Sequence, residues 1–378
     1  MKIRTRLVAL ICAVTMLTGC GTVSIDDTEK GNKEMIETMT SKELMAELKI
    51  GLSWGNTLDA PDGETSWGQP FTTKEMIETV KKLGFNTIRI PISWGKHTSG
   101  APDYTIDEKW MSRVKTVVDY ALDCGLYVII NSHHDNTYYN PVESNRENGK
   151  AYLKAIWTQI ATSFEYADHH LIFQTMNEPR VEGSSYEWEI NQKNKDCMNS
   201  VNIINELNQT ALDAIRSTGG HNANRFVIVS SYAANYKSIM TDKFRLPEDS
   251  VKGRLILSVH AYTPYNLCLN VNSSDSKFTQ NAANEIESMM KSISYRYKQK
   301  GIPIIIDEMG IIHKNNPDDR YEWAKTYVSL AKKYGMVCCW WDNGAVHSGE
   351  KFGLVDRKKL EVYAESETVL SGLMDGLK

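Results

Sequence analysis

Two glutamates carry the first signal. Glu178 follows the apolar run Leu171 to Thr175, and Glu308 follows the run Pro303 to Asp307. Burying an unpaired carboxylate beside apolar runs is costly, so equivalent placement of two implies a joint task. Facing carboxyl groups suit cleavage of a glycosidic bond: one protonates the leaving oxygen, and the other attacks the anomeric carbon or activates water. Their proton affinities must then differ. Arg89 and the hydroxyl of Tyr262 are placed to hold one carboxylate ionised, while a drier setting keeps the other protonated. More polar and aromatic groups end other apolar runs: Arg89, then His133, His134 and Asp135, then His260 and Tyr262, then Trp341. One such residue is noise, whereas a ring of them is a site.

The elements that position this ring alternate. Apolar runs at Ile50 to Trp54, Asn86 to Ile90, Leu126 to Asn131, Leu171 to Thr175, Arg225 to Ser230, Leu255 to Val259, Pro303 to Asp307 and Met336 to Trp340 read as parallel strands buried on both faces. Helical patterns separate most of them, with capping boxes expected at Thr40 with Glu43 and at Thr72 with Glu75. About eight such units predict an α/β fold, the (β/α)₈ barrel, whose catalytic groups sit at the C-terminal ends of strands. A doubly wound open sheet competes, but no Gly-rich phosphate turn follows the first strand.

The stretches Asn86 to Pro91, Asn131 to Asp135, Met176 to Pro179, His260 to Tyr262, Ile306 to Gly310 and Trp340 to Gly344 occur in order, each at a strand end. Together they resemble glycoside hydrolase family 5 from about Glu43 to the C-terminus. The opening Gly51 to Asp59 resembles its endoglucanase-rich subfamily 4. The resemblance implies that Glu178 is the general acid/base and Glu308 the nucleophile of a retaining endo-β-1,4-glucanase acting on cellulose, mixed-linkage glucan or xyloglucan. It implies that Arg89 supports Glu308, Asn177 bonds the sugar 2-hydroxyl, and Tyr262 contacts the nucleophile. His260 and His133 would line the cleaved-sugar subsite, with Trp341 stacked beneath. Asn56 and His134 complete the expected substrate contacts. Asp307 stands where a small residue is usual, and Met309 where an aromatic is common. Strand alternation turns Asp307 away from the mouth; an inward Asp307 would raise the pKa of Glu308.

Competing readings are a mannanase or xylanase on the same machinery, and a non-catalytic glycan-binding lipoprotein. Alternation also puts His133 and His134 on opposite faces, against chelation of a metal. Trp340 reads as core and Trp341 as platform. Trp54, Trp67, Trp94 and Trp188 lie in or near the strand-end loops, where loop packing and distant sugar subsites compete, as do Tyr138 and Tyr139. His347 is a weaker candidate.

The ends and the composition bound the rest. Lys2, Arg4 and Arg6 precede an apolar run from Leu7 to Leu17, and then Leu17, Thr18, Gly19 and Cys20. This reads as a lipoprotein signal over 1–19 with lipidation at Cys20. A polar tether follows over 20–36, and the catalytic domain spans 37–378. That domain leaves no room for a separate carbohydrate-binding module. Placement at a bacterial cell surface, or with an outer membrane, follows. The net charge of −4 argues against nucleic acid as partner. The expected partner is a β-glucan, met by a monomer. No cofactor is implied, because both catalytic groups are side chains. The five cysteines after Cys20, namely Cys124, Cys197, Cys268, Cys338 and Cys339, show no CxxC spacing. This disfavours a disulfide framework or zinc.

Overall fold

A computed structural model describes residues 38–378; the expected signal, Cys20 and the whole of the tether lie outside the described residues. Eight parallel strands close into a barrel in chain order: β1 (Gly51–Trp54), β2 (Thr87–Ile90), β3 (Tyr127–Asn131), β4 (Leu171–Gln174), β5 (Val227–Val229), β6 (Leu255–His260), β7 (Ile304–Met309) and β8 (Val337–Asp342). The expected (β/α)₈ architecture is therefore present. Helix α1 (Ser41–Glu47) precedes the barrel. Around it lie α2 (Lys74–Lys82), α3 (Glu108–Asp123), α4 (Arg146–Ser163), α5 (Lys195–Ser217), α6 (Gln280–Lys298), α7 (Pro317–Lys333) and α8 (Glu367–Asp375). Only short 3-10 turns join β5 to β6. Among the described residues, no helix is long and apolar enough to cross a membrane.

Strand alternation divides the interior into two. Ile88, Ile90, Val128, Ile130, Phe173, Leu257, Ile306 and Trp340 face outward into the apolar layer under the helices. That layer meets helical stripes at i, i+3 and i+4 spacing, such as Leu153, Ile156, Trp157 and Ile160 of α4. The other parity fills the barrel. Ile129, Ile172, Ile228, Ile256 and Ile305 are buried there without joining the outer layer. One step toward the C-terminal mouth the same parity gives Arg89, Asn131, Gln174, Ser258 and Asp307, all wholly buried. An apolar floor therefore carries a polar layer, and the mouth lies above it.

Helix starts differ from expectation in physical ways. Thr40 and Glu43 form the expected capping box. At α2 the cap is Thr73, not Thr72, because the hydroxyl of Thr72 accepts from the indole of Trp54 at 3.1 Å. Helix α7 begins at Pro317, since proline suits a first helical turn whose N–H needs no partner.

Candidate active site

Every expected contact residue except Asn56 lines, or directly supports, a cavity of 530 Å³ at the C-terminal mouth. Asn56 lines a second hollow that shares His134, Trp341 and Glu350 with the first. The two form a cleft running across the barrel mouth.

Arg89 organises the floor of this cleft. Its Nη1 donates to Glu308 Oε1 at 2.7 Å, its Nη2 to Asn177 Oδ1 at 2.6 Å, and its Nε to Gln174 Oε1 at 2.9 Å. A planar fork of fixed donors locks three acceptors at once. With its oxygen held by Arg89, the amide of Asn177 keeps its NH₂ for the cleft. Tyr262 donates to Glu308 Oε2 at 3.2 Å. His133 receives the Asn131 amide on Nδ1 at 3.1 Å, and burial holds its ring well below the ordinary histidine pKa. A neutral ring accepting at Nδ1 carries its proton on Nε2, ready to donate.

Trp340 is wholly buried, with its indole N–H on the Phe352 carbonyl, while Trp341 faces the cleft and lies parallel to His133 at 5.8 Å. Gly55 makes room for this platform: a Cβ there would sit 2.4 Å from the Trp341 ring. Of the four loop tryptophans, Trp54 and Trp94 are core, whereas Trp67 and Trp188 are about half exposed beside the two hollows. Tyr139 is buried, Tyr138 stacks on Tyr152, and His347 lines the second hollow.

Three expectations need correction. Asp307 does not turn away. It follows Ile305 in inward parity, and a register shift between Ile306 and Met309 brings Glu308 inward as well. A β-bulge re-aims a side chain in this way. Met309 instead packs in the outer apolar layer, so its replacement of an aromatic leaves the mouth untouched. Second, His133 and His134 lie beyond the end of β3, where alternation no longer separates them. Their rings meet edge to face at 4.5 Å. Both ring donors come within 4.8 Å of the Asp59 carboxylate. That carboxylate is already hydrogen-bonded by the backbone N–H groups of Asn56 and Thr57.

The third correction is electrostatic. Burial raises the pKa of Glu308, only partly opposed by His260 and Arg89, and Glu178 and Asp307 add repulsion. Burial acts the same way on Glu178. There the hydrogen bond with His260, together with His260, Arg180 and His134 charge, outweighs it and leaves Glu178 below the ordinary carboxyl range. The site thus inverts the expected order; burial opposes a charge on the His260 ring, but Glu308, Asp307 and Glu178 outweigh it, so the pKa of His260 rises along with that of Glu308.

Reading the sequence missed Gln174 and Ser258, which bond Asp307, and Arg180 and Tyr265, which line the cavity. Gln174 and Ser258 are lone polar residues of inward parity in otherwise apolar strands, and that is a usable signal. Arg180 packs on the Trp188 ring at 4.0 Å in a segment without periodicity.

Comparison with known proteins adds to this geometry. Residues 53–347 match the family described as cellulase (glycosyl hydrolase family 5). The chain is 39% identical to endoglucanase A of Ruminococcus albus, over 91% of this chain and 94% of that one. It is 38% identical to the cellulase/esterase CelE of Acetivibrio thermocellus, over 98% of this chain and 47% of that protein, so it spans about half of that relative. Among solved structures, a family 5 lichenase from a Caldicellulosiruptor species in complex with cellotetraose superposes with a TM-score of 0.86. It shares 42% identity over 90% of this chain and 96% of that one. A subfamily 4 broad-specificity endoglucanase from Ruminococcus champanellensis with bound cellotriose gives a TM-score of 0.84. Identity there is 41%, over 89% of this chain and 98% of that one.

Proposed function

The chain belongs to glycosyl hydrolase family 5, and from that premise we propose that it is a retaining endo-β-1,4-glucanase with Glu178 as acid/base and Glu308 as nucleophile. One observation carries the retaining mechanism. One carboxylate oxygen each of Glu178 and Glu308 and a ring nitrogen of His260 all lie within 4.8 Å of one another. Retaining enzymes hold their carboxyl groups about 5–5.5 Å apart, whereas inverting ones leave about 6.5–9.5 Å for a water. The spacing here favours direct attack by a side chain.

The steps follow from the contacts. A glucan lies along the cleft with one ring over Trp341 and its 2-hydroxyl near the free NH₂ of Asn177. Glu308 Oε2 bonds to the anomeric carbon as Glu178 protonates the leaving oxygen. Arg89 and Tyr262 hold Glu308 in place and favour its charged form. Glu178 then takes a proton from water, and that water releases the sugar with its configuration retained. Relatives named endoglucanase, lichenase and broad-specificity endoglucanase support a β-glucan substrate.

The test is a panel: carboxymethyl cellulose, lichenan, xyloglucan, mannan and xylan, read by new reducing ends. Release from the glucans is the expected result. Release from mannan or xylan alone would overturn the substrate, and no release from any would overturn the enzyme.

The placement of Leu17, Thr18, Gly19 and Cys20 supports a lipid anchor at a bacterial surface. In cells fed labelled fatty acid, the chain is expected to take up label and the Cys20→Ala variant to take up none. An unlabelled parent defeats the anchor.

A further inference from the structure

Asp307 is the residue that the site's chemistry, as described, does not use. It is wholly buried on β7 beneath the catalytic pair. Its Oδ2 accepts from Gln174 Nε2 at 2.7 Å, and its Oδ1 accepts from Ser258 Oγ at 2.6 Å. That same Oδ1 lies 3.5 Å from Nε2 of His260, an atom that is buried without a hydrogen-bond partner. The other ring nitrogen, Nδ1, is 2.7 Å from Glu178 Oε1 and 3.4 Å from Glu308 Oε2. The imidazole thus spans from the acid/base carboxylate to a buried one.

We propose that Asp307 is a positioning residue that holds His260 as an imidazolium, so that the proton used by Glu178 rests on this ring between turnovers. The inference rests on the acid/base role of Glu178 proposed above. A neutral imidazole has one N–H and one lone pair, so it would set that lone pair against a carboxylate on one side or the other. Only the imidazolium presents N–H to both. The surrounding charges agree. Glu178, Asp307 and Glu308 face the ring as carboxylates, and Glu350 lies further out in the same cleft. Against them stand Arg89 from β2 and Arg180 after β4. Arg89 is already committed to Glu308, Gln174 and Asn177, and Arg180 to Glu178, Glu182 and Glu187. His133, just after β3, is neutral, and the Tyr262 hydroxyl and Cys339 thiol are pushed well up by burial.

The proton balance closes. In glycosylation the Nδ1–H bond of His260 breaks as an O–H bond forms on Glu178. That O–H breaks in turn as the leaving oxygen gains the proton, Glu308 bonds to the anomeric carbon and the glycosidic C–O bond breaks. In deglycosylation Glu178 takes a proton from the attacking water and returns it to Nδ1. One water is consumed and the ring is restored.

The test is Asp307→Asn. Asparagine keeps the local bonds, since its oxygen accepts from Gln174 and its NH₂ donates to Ser258 Oγ. Only the charge is lost. Without that charge His260 gives up its proton at lower pH, so the basic limb of kcat/KM moves down. Glu308 loses a repulsion and ionises at lower pH, so the acid limb moves down as well. A basic limb lower by about one unit or more is expected, with kcat/KM on the wild type's alkaline side down by about tenfold. A uniform loss with both limbs unmoved overturns the proposal and leaves Asp307 a structural residue. If the variant fails to fold, ¹⁵N NMR of the histidine-labelled wild type decides. Both nitrogens of His260 protonated at neutral pH is the expected state, and a neutral single tautomer overturns it. A wild type inactive on every polysaccharide would defeat the function proposed above, while the NMR result would still decide the state of the ring.

Discussion

Glu308→Gln is expected to lower kcat on β-glucan by on the order of 10⁴- to 10⁶-fold, the scale on which loss of a covalent nucleophile is felt. The fold should survive. Glutamine keeps an oxygen for Arg89 Nη1, and Arg89 also retains the charge of Asp307, whose Oδ2 lies 3.7 Å from its Nε. No uncompensated buried cation results, so the melting temperature should change by a few degrees at most. What is lost is the attacking lone pair. The loss should therefore be equally deep on polymer and on an aryl glucoside with a good leaving group, because both need attack at the anomeric carbon. Residual hydrolysis that inverts the anomeric configuration would mean that water attacks directly, and would sink the double displacement.

The barrel was legible in the sequence because parallel strands buried on both faces read as unbroken apolar runs. The strand ends were legible too, since a polar or aromatic residue interrupts most of the runs where the mouth begins. What stayed hidden depends on register. Alternation counted back from an inward Glu308 sends Asp307 outward, whereas counting forward from Ile305 brings it in. Only the bulge lets both residues be inward, and the run Ile304 to Met309 carries no glycine to announce it. The partners of Asp307 were hidden for the same reason. Gln174 and Ser258 lie on β4 and β6, and their meeting with β7 is a property of barrel closure rather than of local pattern. Trp188 reaches the cleft from an irregular segment between β4 and α5, where no periodicity tells a packed ring from a free one. The proton order was hidden as well. It arises from His260 lying between Glu178 and Asp307, and no single residue of the three implies it.

Glu178→Gln should instead show a loss that depends on the leaving group. On polymer the departing group is a sugar hydroxyl, which needs a proton, and kcat/KM is expected to fall by about 10²- to 10⁴-fold. On an aryl glucoside whose phenol leaves unaided, glycosylation should be nearly untouched. Deglycosylation still needs a base to activate water, so the glycosyl-enzyme accumulates. The observable is a burst of phenol equal to the enzyme concentration, followed by slow turnover and a lowered KM. Geometry makes the substitution clean. The glutamine oxygen can still accept from His260 Nδ1, which lies 2.7 Å from Glu178 Oε1, so the ring should keep its place. The pH profile gives a second reading. With Glu178 gone, the His260 proton has no route to the leaving oxygen, so the basic limb seen with polymer should vanish from the aryl glucoside's first step. Equal losses on both substrates, with no burst, would assign Glu178 to binding or structure and take the acid/base role away from it.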